Sequence, residues 1–237
     1  MKRQRGFALL ELALALLIAM LAAVFTVDRF AERSREVMAE GHAAWMMALH
    51  HAVLRYVEQH GATLAAQGGA GPVAGFVDAL VPTQAELKAA GFLAAGYPEQ
   101  GTRGVGAGIR LLPRGDCPSD SCHIEALVYS DAPLGQDHAR THNLAMVAHW
   151  LSVSAGRGGA VMPHRTHLVG GPAFSFSNPP VAGMARLPPG TVAMAVTAEQ
   201  LQNLPYLRVR DSRDPDFQGA ASVAGNVRTQ GALSARE

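Results

Sequence analysis

The sequence predicts an α+β chain: a long N-terminal helix, half membrane-length and half amphipathic, packed on an antiparallel-sheet head. Three observations predict it. Residues 7–27 form an apolar run whose one charge is Glu11. Residues 28–60 hold no proline and carry an apolar stripe at helical spacing. Beyond residue 100, short alternating runs are divided by glycine and proline, with one further helical stretch among them.

The first element opens on a basic leader, Met1-Lys2-Arg3-Gln4-Arg5. The apolar run that follows is long enough to cross a bilayer, because about 20 residues rising ~1.5 Å each span a hydrocarbon core of ~30 Å. A carboxylate inside such a run costs roughly 2.5–3.5 kcal/mol at the bilayer centre, so Glu11 needs a use. Orientation is not marked by charge: Lys2, Arg3 and Arg5 before the run balance Arg29, Arg33 and Arg35 after it.

The helix is expected to continue through 28–60. Asp28, Arg29, Glu32, Arg33, Arg35 and Glu36 form a mixed-charge stretch with helical spacings such as Glu32 to Arg35. Met38, Trp45, Leu49, Ala52 and Tyr56 then make one stripe, with Val53 and Val57 beside it. A helix over 8–60 would be ~80 Å long. Its first half would lie in lipid or a fibre core, and its second half against the head. Gly41 marks a kink or a close approach, His50, His51 and His60 fall on the exposed side, and Gly61 ends the helix.

The head is expected over 61–210. Gly68-Gly69-Ala70-Gly71-Pro72 is a loop, and Thr83-Gln84-Ala85-Glu86 has capping-box spacing before a short helix ending at Gly91. Residues 108–112 and 124–129 read as strands flanking the cysteines. A helix is expected over 137–153 with Leu144, Val147, Ala148 and Leu151 on its packed face, broken by Gly156-Arg157-Gly158-Gly159. Strands follow at 174–177, 191–196 and 206–209, with a capped turn at 197–201. The last stretch, 211–237, is small, polar and dotted with Gly219, Gly225 and Gly231, the composition of a disordered tail.

Composition narrows the chemistry. A formal net charge of +1 over 237 residues gives no electrostatic case for nucleic-acid binding. The two cysteines sit in Cys117-Pro-Ser-Asp-Ser-Cys122. In an exported domain they form a disulfide closing a small loop, contributing on the order of 2 kcal/mol in the chain-entropy account. The alternative is a metal or redox pair with His123, but structural zinc takes four ligands and only one pair is present. His138 and His142 share a helix face with Asp137 nearby, yet lack a His-Glu-x-x-His pattern. No serine sits in a Gly-x-Ser-x-Gly elbow, and the glycines of 104–108 lack a phosphate-loop lysine. The expectation is a non-enzymatic chain with no metal and no cofactor.

The head of the apolar run, Gly6-Phe7-Ala8-Leu9-Leu10-Glu11, resembles the class III signal of type IV pilins and pseudopilins. The resemblance implies cleavage by a prepilin peptidase between Gly6 and Phe7, giving a leader at 1–6 and a new N-terminal Phe7 that is methylated. It implies that Glu11 pairs with the N-terminal amine of a neighbouring subunit. It places the chain in the bacterial inner membrane, single-pass with its head outward, and then in an extracellular pilus among other pilin subunits. Further segments look like the constant region of the shufflon-type, PilV-like minor pilins of type IVb and conjugative thin pili. These are Gly91-Phe92-Leu93-Ala94-Ala95-Gly96-Tyr97, Thr191-Val192-Ala193-Met194-Ala195-Val196, Tyr206-Leu207-Arg208-Val209-Arg210 and Ala224-Gly225-Asn226-Val227. That likeness implies adhesion or recognition of a recipient-cell surface glycan. No sizeable recognition domain follows the glycine-dotted stretch, so the expectation is either a pilin body without a tip module or a tip function within the head.

Three alternatives stay open. An ordinary secretory signal has an apolar core of about 7–15 residues and a small-residue cleavage site, which Ala13, Ala15, Ala19, Ala22 or Ala23 could mimic. A type II secretion pseudopilin carries the same signal as a pilin. A membrane-anchored enzyme or binding domain would make Glu11 incidental.

Overall fold

A computed structural model describes residues 5–68, 71–119, 121–134 and 144–202. The chain is α+β, a long N-terminal apolar helix joined to a curled antiparallel sheet. The order is α1 (Arg5–Ala66), α2 (Gln84–Ala89), a 3-10 turn (Thr102–Gly104), β1 (Ala107–Arg114), β2 (His123–Ser130), α3 (Leu144–Val153), β3 (Gly158–Ala160), β4 (Leu168–Gly170), β5 (Ser175–Ser177), β6 (Val192–Val196) and α4 (Ala198–Gln202). The expected strand at 206–209, the tail, His138 and His142 lie outside the described residues.

Helix α1 is 62 residues long, or about 93 Å at 1.5 Å per residue. The head covers it from Ala39 onward, where Ala39, Ala43, Met46, Leu49, Val53, Tyr56 and Leu64 are buried. The helix continues through Gly61 to Ala66 rather than ending at the glycine. A mid-helix glycine costs about 1 kcal/mol relative to alanine. Here tertiary packing overrides that cost. Gly61 is buried, a Cβ there would already press on Val57 and lie 3.9 Å from Ile124 of β2, and the next turn buries Leu64. At Gly41 the close-approach reading holds: α1 continues, and Thr102 Cγ2 would lie 3.2 Å from an added Cβ.

The sheet has the order β1-β2-β6-β3-β4-β5 with every pair antiparallel. Period-two alternation gives it two apolar faces. Ile109, Leu111, Ile124, Ala126, Val128, Val192, Met194 and Val196 join the core with α1. Leu112, Leu127, Ala193 and Ala195 point the other way into a second cluster with Val161, Val169, Phe174, Phe176 and Leu187. That second cluster closes because the sheet curls. Arg114 of edge strand β1 lies 5.0 Å over the ring of Phe176 of the opposite edge strand β5. Central β6 is therefore buried along its whole length.

Two expectations are corrected. The described part of the second helix begins at Leu144, and its buried face is Met146, Val147 and Trp150, with Leu144 exposed. The face is rotated by about one residue, roughly 100°, from the expected one. Trp150 carries the largest area and is fully buried, so it sets the roll of α3. The glycines after α3 do more than break it: Gly158 and Gly159 enter β3, which pairs with β6 and β4.

Loops 76–106 are tied to α1 by side-chain hydrogen bonds to backbone. Tyr56 Oη donates to Ala79 O (2.9 Å), Trp45 Nε1 to Pro98 O (2.9 Å), Tyr97 Oη to Trp45 O (2.7 Å) and Thr102 Oγ1 to Met38 O (3.0 Å). Arg55 donates to Phe92 O. The expected capping box is formed by Thr83 and Glu86 at the start of α2.

The two halves of α1 should respond differently to truncation. Leu49→Ala, in the core, is expected to lower head stability by about 2–5 kcal/mol. Leu21→Ala, on the bare half, should leave it unchanged. Denaturant unfolding in detergent, followed by the fluorescence of buried Trp45 and Trp150, reads both; equal losses would show that the halves are not independent.

Candidate assembly site

The site begins with what α1 leaves uncovered. From Leu10 to Val27 every side chain is exposed, including Leu14, Leu17, Ile18, Leu21 and Phe25. The helix is long and apolar enough to cross a membrane, and none of its most apolar window is buried by the chain itself. Fully covering one large aliphatic or aromatic side chain is worth roughly 1.5–3 kcal/mol, so leaving this surface in water is costly.

Gly6 and Phe7 lie in the first turn of α1, and Glu11 is exposed one turn further on. Glu11 follows Phe7 by four residues, about one helical turn. Cys117 and Cys122 sit elsewhere. They are bonded, with S–S 2.05 Å, in the β1–β2 hairpin loop. That loop meets the C-terminal end of α1, where Pro118 Cδ would lie 3.5 Å from a Cβ on Gly68. The structure thus groups Gly6, Phe7 and Glu11 at one end of the helix and the cystine at the other.

Two buried histidines complete the picture. His42 is wholly buried, its ring 5.2 Å from that of Trp45 and tilted by 35°, with neither ring nitrogen hydrogen-bonded. Burial lowers its pKa to about 4. His50, expected on the exposed side, is buried, and its Nε2 lies 2.9 Å from Ala195 O in β6. Burial lowers its pKa as well, opposed by the Ala195 bond and aided by His51 and Arg157. The signal was present in the spacing: His42 precedes Trp45 and Met46 by three and four residues, and His50 stands between Met46 and Val53. His51 is exposed, with Nε2 3.0 Å from Arg157 Nη1.

Among the described residues, no group of three or more His, Cys, Asp or Glu could hold a metal ion. An open cleft of about 510 Å³ lies between the sheet's edges, lined by Arg114, Glu125, Phe176, Thr197 and Glu199. Its central charges are already engaged: Arg114 pairs with Glu125 at 3.3 Å, and Glu125 accepts from Ala198 N at 3.2 Å. The dominant feature is therefore the bare helix.

No protein family, curated protein or solved structure matches this chain.

The buried histidines make the head acid-sensitive. Unfolded His42 takes up a proton near 6.5 and folded His42 near 4, so the unfolded state binds more protons in between. Stability should fall as pH drops through that window, by on the order of 3 kcal/mol from this group. His42→Leu should flatten that part of the profile in urea titrations at pH 7 and pH 4.5; an unchanged slope would assign the acid sensitivity elsewhere.

Proposed function

We propose that this chain is a structural, type IV pilin-class subunit, most like a PilV-like minor pilin. It is inserted in the inner membrane, cut by a prepilin peptidase between Gly6 and Phe7, and assembled into a pilus through α1. One observation carries the reading: a single unbroken helix is bare and apolar over 10–27 and forms the spine of an α+β head from Ala39. An anchor alone accounts for the bare half but not for Glu11. A carboxylate in lipid is costly unless it is paired or lies where the head groups are. Placed one turn from Phe7, it has a use if the amine freed at Phe7 belongs to a neighbouring subunit, since a buried charge is tolerable when paired and strongly unfavourable when it is not. Its partners on this reading are the peptidase, the bilayer and other pilin subunits, with a recipient-cell glycan as the target of any adhesive role.

The N-terminal residue of the mature protein tests the proposal. Mass spectrometry should find methylated Phe7 only in cells that contain the peptidase. A start near residue 23, or an intact Met1, would replace the pilin reading with a secreted or simply anchored domain. Gly6→Val should retain the leader. Glu11→Ala should give a folded, membrane-inserted head that fails to enter fibres; normal incorporation of both variants would remove the proposed roles of these residues.

A further inference from the structure

Charge is unevenly placed along the chain. Residues 138–198 hold four arginines and five histidines, while all 19 aspartates and glutamates lie outside them. Within the head this stretch supplies α3 and strands β3 to β6. Arg157 is engaged with His51, Nη1 to Nε2 at 3.0 Å. Arg165, in the β3–β4 loop, and Arg186, between β5 and β6, are exposed. Among the described residues, neither of these two side chains has an ion pair or a hydrogen bond. His164 and His167 are exposed beside Arg165. One buried side chain clasps the two loops. Asn178, 3% exposed, donates through Nδ2 to Thr166 O and Leu187 O, each at 2.8 Å, and its Oδ1 accepts from Leu187 N at 2.8 Å. Its own N–H donates to His167 O at 2.8 Å. Arg165 and Arg186 each precede a residue that this amide holds, so the backbone that carries them is fixed before any ligand arrives.

Arg165 also lines a cavity of about 180 Å³. The apolar wall of this pocket is Ala160, Met162, Leu168 and Phe174, and its polar side chains are Arg165 and Ser175. Glu125 and Glu199 line the neighbouring cleft, which shares Phe174 and Ser175 as its border, and Glu125 is already paired with Arg114. A guanidinium without a partner fits a carboxylate through two parallel N–H donors. We propose that this pocket binds one carboxylate-bearing sugar unit of an acidic polysaccharide. The carboxylate pairs with Arg165, a C–H face of the ring lies on the apolar wall, and Arg186 attracts the rest of the anionic chain. Such a pocket suits a ligand that is anionic at one end and apolar along one face. An inorganic anion has no apolar face. A nucleic-acid strand binds through several phosphate contacts at once, whereas this face offers two unengaged arginines. An acidic peptide brings its carboxylate on a flexible stem whose freedom is lost on binding, and a sugar ring is already rigid. The inference rests on the subunit reading above for the outward placement of the head, and it gives the glycan target named there a site and a charge.

Fluorescence anisotropy of a labelled galacturonate oligomer, titrated with the full-length protein in detergent, tests it. The oligomer should bind, and a neutral galactose oligomer of the same length should not. Loss of a charge-assisted pair in Arg165→Gln should weaken binding about tenfold or more, and Arg186→Gln should weaken it by a smaller factor. Both arginines are exposed, so the variants should fold, which the fluorescence of Trp45 and Trp150 checks. Unchanged affinity in Arg165→Gln, or equal binding of the neutral oligomer, overturns the proposal. Two further probes separate the alternatives. Polyglutamate binding as tightly as the galacturonate oligomer would make this an acidic-peptide site, and equally tight duplex DNA would make it a nucleic-acid surface; either result overturns the sugar assignment. Processing at Phe7 is read in cells producing the same variants. Processing without binding rejects the pocket and leaves the subunit reading standing, whereas binding without processing does the reverse.

Discussion

The packing of one face of α1, from Ala39 to Leu64, against the sheet is the interaction on which the rest of the molecule depends. Strands β1, β2 and β6 present Leu111, Ala126, Val128, Met194 and Val196 to that face, and α3 closes it with Met146, Val147 and Trp150. Segment 76–106 adds Ala79, Leu87, Phe92 and Leu93 to that core and is further held by hydrogen bonds that Tyr56, Trp45 and Tyr97 make across the helix surface. Burial raises the pKa of the Tyr97 phenol, which keeps it a donor to Trp45 O. Remove the helix and both the sheet face and the loops lose their partner.

Close approach is the second constraint, and it is met by small residues. Where β3 passes β4, a Cβ on Gly159 would lie 2.5 Å from the carbonyl carbon of Gly170, and one on Gly171 would lie 2.0 Å from Gly158 O. No side chain fits there without moving backbone. The sheet is curled. The curl brings β5 round toward β1, so that Phe174 and Phe176 can cover Leu112 and Leu127 on the face that α1 does not reach.

These two constraints explain what could be read from the residues and what could not. The stripe from Met38 to Tyr56, the capping box at Thr83 and the β1–β2 hairpin were legible because each rests on side-chain periodicity or a local hydrogen bond. Strand β3 was not: Gly158-Gly159-Ala160 has almost no side chains and so no alternation, and it is a strand only because β6 and β4 pair with it. Its neighbour β4 is three residues long, too short for a period. The roll of α3 was misjudged because aliphatic spacing competes with one tryptophan, and the tryptophan wins on area. The continuation past Gly61 was hidden for a similar reason, since a tertiary contact with β2 offsets an intrinsic preference. Of the candidate site, Gly6, Phe7 and Glu11 were visible as a motif, whereas the buried His42 and His50 needed the stripe to be followed through polar letters.

The division of α1 also separates the part that makes the core from the part that is left bare. The core begins at Ala39, and nothing in the apolar run of 10–27 contributes to it. Sites that far apart, with no shared partners, contribute additively to stability. On the subunit reading proposed above, the head would fold once outside the membrane while the bare half exchanges one set of apolar neighbours for another. That exchange costs little in hydrophobic terms, because lipid tails and helix side chains are alike in polarity, and association then depends on packing and on polar contacts. Specificity must come from the few groups along the helix that lipid does not satisfy. These are Glu11 near its start and the mixed-charge stretch from Asp28 to Glu36, which lie at the two edges of the apolar run. On the subunit reading, lipid alone would hold such a helix anywhere in a bilayer, and another chain that meets both edges would give it a defined place.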